Sequence, residues 1–266
     1  MQKVRVVLSI LLLFLGSALS FAQDKEEYYR TGYIYFSQGN YEKALEAYRK
    51  ALEIDPQYVD ARYWLGKTLE QMGRISEALQ EWRAVLSVAP RHRDAFQKWR
   101  AYAPSFVRDG EAIERYRKAF LEGEVPRFSQ EEGWVSLAPL GFVLFGQNDF
   151  ASLYLASRIF RWAWERLSPL FAPYEEQAIK KALESVTSGD LRLVYRFLQE
   201  LTVRFGEDPA WQESLHGAFE QVFSYTLGEK VQGARGVEFV FLGGKVEKKV
   251  LYGDAVEREA SFFLKE

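Results

Sequence analysis

The stretch Gly39-Asn40-Tyr41-Glu42-Lys43-Ala44-Leu45-Glu46-Ala47-Tyr48-Arg49-Lys50-Ala51-Leu52-Glu53-Ile54-Asp55-Pro56 decides how the chain is read. It runs from a turn glycine to a stop proline, and between them Ala44, Tyr48 and Ala51 fall at helical spacing. It returns 34 residues later as Gly73, Ala78, Trp82, Val85 and Pro90, and upstream Gly32 returns as Gly66. A weaker third copy follows, because Ala44, Ala78 and Ala112 are evenly spaced, as are Tyr48, Trp82 and Tyr116, and Ala51, Val85 and Ala119. A fixed period of this size marks a stack of like supersecondary units.

Each unit explains its own residues. Gly32 and Gly66 on a first helix, with Ala44 and Ala78 on a second, are small where two antiparallel helices cross. Gly39 and Gly73 supply the left-handed turn between them, and Tyr48 or Trp82 fills the layer beside them. Pro56 and Pro90 stop one unit and open the next helix, where the missing N–H costs nothing.

These segments, with Leu65-Gly66, resemble the tetratricopeptide repeat family, in an exported bacterial form. The resemblance is close over two repeats, 25–58 and 59–92, and extends to a third, 93–126. There Arg100 stands in place of the glycine, Pro104 shortens the first helix, and Ser105 to Gly110 form a longer turn. The resemblance implies a mainly α fold, a superhelical solenoid of hairpins that bury their apolar faces only by stacking.

Residues 127–230 read as helical, with degenerate repeat-like hairpins. Leu140-Gly141, Leu144, the Gln147-Asn148-Asp149 break and Phe150-Ala151 repeat the outline between Trp134 and Glu165. Tyr174 to Val186 and Leu191 to Phe205 flank Ser188-Gly189-Asp190, and Asp208-Pro209 opens a further helix to about Tyr225. Phe160, Trp162, Trp164 and Phe171 read as core between these helices. In 235–266 the period changes to two. Val237, Phe239 and Phe241, the turn Gly243-Gly244, and Val246, Val250 and Tyr252 predict a small C-terminal β-hairpin with Glu238 opposite Lys249. Asp254 and Glu257 then read as the cap of a terminal helix, with a third strand as the competing reading.

At the other end, Lys3 and Arg5 precede an apolar run from Val6 to Leu15, and Ser20-Phe21-Ala22 offers small residues at both recognition positions. This outline predicts a signal peptide over 1–22 with cleavage before Gln23, the alternative being a retained membrane anchor. The 266 residues contain no cysteine, which excludes disulfides, thiolate metal sites, cysteine nucleophiles and a lipid-modified N-terminal cysteine. The expectation is therefore a soluble periplasmic or extracytoplasmic protein that is not a lipoprotein. A formal net charge of −2 provides no global field for nucleic acid or for stable membrane association.

Catalytic chemistry is hard to find. His92 and His216 lack acidic residues at metal-ligand spacing, and Gly243-Gly244-Lys245 lacks the upstream glycine of a phosphate loop. The chain is expected to be no enzyme and to need no cofactor or metal. By the family resemblance, the first helix of each repeat lines a concave face that takes a peptide. Tyr29, Tyr33, Phe36, Tyr63, Lys67, Glu70, Asp94 and Gln97 would line it here, the tyrosines serving either peptide contact or packing between repeats. The family's carboxylate clamp is not matched, since Tyr29, Tyr33, Trp64 and Asp94 occupy its positions, which disfavours a chaperone-tail receptor. Between Arg91 and Lys118, eight basic residues face four acidic ones, a solvated repeat face or a site for an anionic partner. The function expected is an exported scaffold or adaptor that binds an envelope protein or peptide. Alternatives are a ligand-binding or enzymatic domain in 127–266 docked by the repeats, and a structural component that self-associates through the C-terminal hairpin.

Overall fold

The computed structural model describes residues 24–107, 114, 116, 118–119, 129–186, 191–227, 236–242, 245–252 and 256–262. The expected signal peptide, Ala112, the turn residues 108–110 and the glycine pair at 243–244 lie outside these. Helices come in the order α1 (24–37), α2 (Tyr41–Ile54), α3 (Val59–Gln71), α4 (Ile75–Val88) and α5 (Arg93–Tyr102). A 3-10 turn, Ala103–Phe106, carries Pro104. Then follow α6 (130–145, with a π-helical stretch at Gly133–Leu137), α7 (Phe150–Arg166), α8 (Ala172–Glu184), α9 (Leu191–Phe205) and α10 (Pro209–Leu227).

The 34-residue period becomes two hairpins, α1–α2 and α3–α4, with α5 stacked after them. Gly39 and Gly73 both sit at φ 74°, in the left-handed region that an L side chain resists. Each turn closes the same way. Asn40 N–H donates to Tyr35 C=O at 2.9 Å and Gly39 N–H to Phe36 C=O at 3.0 Å; one repeat on, Arg74 pairs with Leu69 at 2.8 Å and Gly73 with Glu70 at 3.0 Å. That pair of bonds satisfies carbonyls the ending helix leaves open. Asn40 then starts α2 with its side chain, while its counterpart Arg74 forks onto Glu77 with contacts of 2.6 and 2.5 Å.

Tyr48 and Trp82 are fully buried, and each packs its ring where a first-helix glycine leaves room. Polar ties run within and between repeats: Lys25 Nζ donates to Asp55 at 2.7 Å within the first, and Arg62 bridges Glu81 of its own repeat at 2.9 Å and the carbonyl of Pro56 in the preceding one at 2.5 Å. The Lys25 hydrogen bond holds the Asp55 carboxyl below its ordinary range.

The chain divides into two compact units. The first contains the repeats up to 108 together with 130–139 and 163–170. Within it Trp134 sets its indole edge-on to Trp99 at 4.9 Å, and Ser168 Oγ donates to the carbonyl of Pro90. The second contains 109–129, 140–162 and 171–266. Its core gathers Phe142, Phe160, Phe171 and Tyr174, with Phe142 4.9 Å from Phe160 and 5.1 Å from Tyr174. Gly141 repeats the device of the first unit, since a Cβ there would come within 2.9 Å of Ile159 and Phe160. The buried Glu175 is met by Arg204 at 2.7 Å, which ties α8 to α9.

One expectation is corrected. The helical solenoid stands, but a small two-stranded β-hairpin as the C-terminal element does not. The backbone there pairs as a three-stranded antiparallel sheet in the order β1 (Gly236–Leu242), β2 (Lys245–Tyr252), β3 (Val256–Phe262). The segment that read as a capped helix lies along β2, with Ala260 opposite Lys248. A two-stranded ribbon is marginal in water and leaves the outer edge of its second strand open; a third strand satisfies that edge, and the period-two pattern of 256–262 suits it. The fold class rests on the helices.

Candidate functional site

α1, α3 and α5, the first helices of successive repeats, carry the expected site residues. They fall into two sets. Tyr33, Phe36, Tyr63 and Lys67 gather around the indole of Trp64. Tyr33 meets Trp64 edge-on at 4.9 Å and stays 47% exposed; Phe36 meets it at 5.1 Å and Tyr63 at 6.0 Å. Lys67 Nζ lies 4.3 Å from the centre of the Trp64 ring, 5.7 Å from Phe36 and 6.0 Å from Tyr63. His92 closes one side, 5.0 Å from Tyr63, while its Nδ1 accepts the N–H of Ala95 and so caps α5. Asp94 and Gln97 are exposed on α5. Burial pushes the Tyr63 phenol upward, and the negative charges of Asp94 and Glu70 add to the shift.

The other set packs the first repeat and joins the second to the third. Tyr29 is half-buried between Tyr48 at 6.0 Å and Tyr58 at 5.5 Å, and burial, reinforced by Asp60, raises its phenol. Glu70 is nearly covered, with 8% of its side chain exposed. Its two oxygens take Lys98 Nζ at 2.8 and 2.9 Å, and the Tyr102 hydroxyl donates to one of them at 2.6 Å. That carboxylate links α3 to α5 and has little left to offer a ligand.

Trp64 and His92 were not on the expected list, although both belong to the cluster. The signal for Trp64 was present: Trp64 and Lys67 share a helix face at i, i+3, as do Tyr33 and Phe36. The basic stretch from Arg91 to Lys118 lies partly outside the described residues, and its Lys98 is bound by Glu70. Among the described residues, no group of three or more His, Asp or Glu could hold a metal ion, and no helix is long and apolar enough to cross a membrane.

Residues 32–73 match the family described as TPR repeat, and residues 59–92 the family described as Tetratricopeptide repeat. TPR repeat-containing protein MJ1428 of Methanocaldococcus jannaschii is 28% identical over 28% of this chain and 13% of its own length. Photosystem I assembly protein Ycf3 of Acaryochloris marina is 29% identical over 27% of this chain and 51% of its own. Tetratricopeptide repeat protein 14 of Mus musculus is 33% identical over 36% and 12%. The chain thus spans about half or less of the length of the curated relatives it matches. A crystal structure of MamA protein aligns over 82% of this chain and 100% of its own at 14% identity, with a TM-score of 0.32, too low to define a shared fold. Tetratricopeptide repeats generally mediate protein–protein interactions, and residues 32–92 of this chain carry them.

Proposed function

We propose that the chain is an exported, non-catalytic scaffold that holds a protein partner of the cell envelope, taking an extended segment of it along the face made by α1, α3 and α5. The observation that carries this reading is the aromatic shelf of Tyr33, Phe36, Tyr63 and Trp64, partly exposed on helices that the repeat stack keeps rigid. Rings on a fixed scaffold give large apolar contact at small entropic cost, and tyrosine adds a hydroxyl. Export rests on the pattern from Lys3 to Ala22.

The test is photo-crosslinking in the native cell. Benzoylphenylalanine at position 33 is expected to trap one defined partner, whereas the same group at Tyr28, which turns toward Lys50, traps none. Equal crosslinking from both positions, or from neither, refutes the face. N-terminal sequencing of the recovered protein checks export, with a start at Gln23 expected and a start at Met1 counting against cleavage.

A further inference from the structure

The face holds a cation that no carboxylate among the described residues neutralises. Lys25 is met by Asp55 and Lys98 by Glu70, yet Lys67 has no carboxylate partner among the described residues and lies over three rings. Glu70, one turn along the same helix, is taken up by Lys98 and Tyr102. Lys43 and Lys50 also lie over rings, but each covers a single tyrosine and is exposed. Lys67 is half-buried, its stem fixed against Trp64, so its charge is less screened and its ammonium is held in place.

We propose, resting on the reading of this face as a peptide groove, that the bound segment is acidic at one position: a side-chain carboxylate of the partner seats on Lys67 Nζ, and an apolar neighbour packs on Tyr33 and Trp64. Negative charge borders the cluster, because Asp60 acts on Tyr29 and Asp94 acts on Tyr63. A single carboxylate is therefore admitted at the centre, while a polyanion such as a nucleic-acid strand would meet Asp60 and Asp94.

The experiment pans random 12-residue peptides, displayed with both ends blocked, on the full chain. Those whose binding is lost in Tyr33→Ala are kept as groove binders. They are expected to share Asp or Glu beside an aromatic or aliphatic residue. Replacing that Glu by Gln in the synthetic peptide should weaken binding about tenfold, as loss of a charge-assisted hydrogen bond requires. Lys67→Met, which keeps the aliphatic stem, should cause the same loss and abolish the distinction between the Glu and Gln peptides. Lys67→Arg should restore it, and all variants should melt together with the parent. Tyr33-dependent peptides that ignore both the Glu-to-Gln change and Lys67→Met overturn the anionic anchor and leave the groove standing. A selection with no Tyr33-dependent peptide overturns the groove itself.

Discussion

Gly66 and Trp82 share one volume: a Cβ on Gly66 would lie 2.5 Å from the indole Nε1 and 2.9 Å from Cδ1. Gly32 stands in the same relation to Tyr48, 2.7 Å from its ring. In a helix interior alanine ordinarily gains about 1 kcal/mol over glycine. Here the fully buried rings cannot retreat, so Gly66→Ala and Gly32→Ala should each lower stability by about 1–3 kcal/mol in urea denaturation. Gly217, in α10, has nothing within 4 Å of its would-be Cβ, and Gly217→Ala should raise stability by about 0.5–1 kcal/mol. Losses at all three positions would mean that helix propensity and not ring packing had been misjudged.

Glu70 should behave as a joint between repeats. With Lys98 and Tyr102 both on its carboxylate, Glu70→Ala strands a hydroxyl and an ammonium and should cost about 1–3 kcal/mol. Lys98 keeps 36% of its side chain exposed, so its own contribution is smaller. A double-mutant cycle of Glu70→Gln with Lys98→Met should give a coupling of about 0.5–1 kcal/mol that shrinks in high salt. Zero coupling at low salt would assign the hold on Glu70 to Tyr102.

How much of this was legible follows from how far each interaction reaches along the chain. The turn glycines could be read because a left-handed residue narrows the choice to nearly one amino acid, and the 34-residue repetition marked it twice. The ring layer could be read because Tyr48 and Trp82 recur at the same phase as Gly32 and Gly66. Glu70 was expected to face a ligand because its helix position alone was visible. Its partners lie 28 and 32 residues away on the next first helix, and neither distance is the repeat period. Trp64 was missed for the same reason, since its neighbours Tyr33 and Phe36 come from the preceding repeat. At 256–262 two short patterns competed, a cap and an alternation, and strand pairing decided between them.

Alkaline pH should unfold the first unit early. Burial, with Glu26, Asp60 and Tyr29 adding to it, pushes the Tyr58 phenol from 10.0 to about 12, and burial pushes Tyr48 higher still. The folded state therefore keeps protons that the unfolded chain releases. This stability is fully present below about pH 10 and is lost as pH rises through 12 and beyond. Melting temperature should fall across that window, and phenolate absorbance of the buried tyrosines should appear only with unfolding. The Tyr48 hydroxyl is buried without a hydrogen-bond partner among the described residues, so Tyr48→Phe should be neutral at pH 7 or stabilise by up to about 1 kcal/mol. The same variant should flatten the alkaline decline. An unchanged slope would move the effect to other tyrosines.

Tyr29 and Tyr33 lie one turn apart on α1, and the structure gives them different work. Tyr29 is packed between Tyr48 and Tyr58, so truncating it removes ring contact on both sides of the first repeat. Tyr29→Ala should cost about 2–4 kcal/mol and weaken partner binding only by unfolding part of the repeat. Tyr33 is 47% exposed and touches Trp64 along one edge, so Tyr33→Ala should cost no more than about 1 kcal/mol while sharply reducing partner capture. Tyr63→Ala belongs with Tyr33, tempered by its contact with His92. Measured side by side by melting and by pull-down of the partner that position 33 crosslinks in the parent, the two tyrosines separate the binding face from the core. If Tyr33→Ala unfolds the chain as Tyr29→Ala does, the shelf is packing and the partner is held elsewhere.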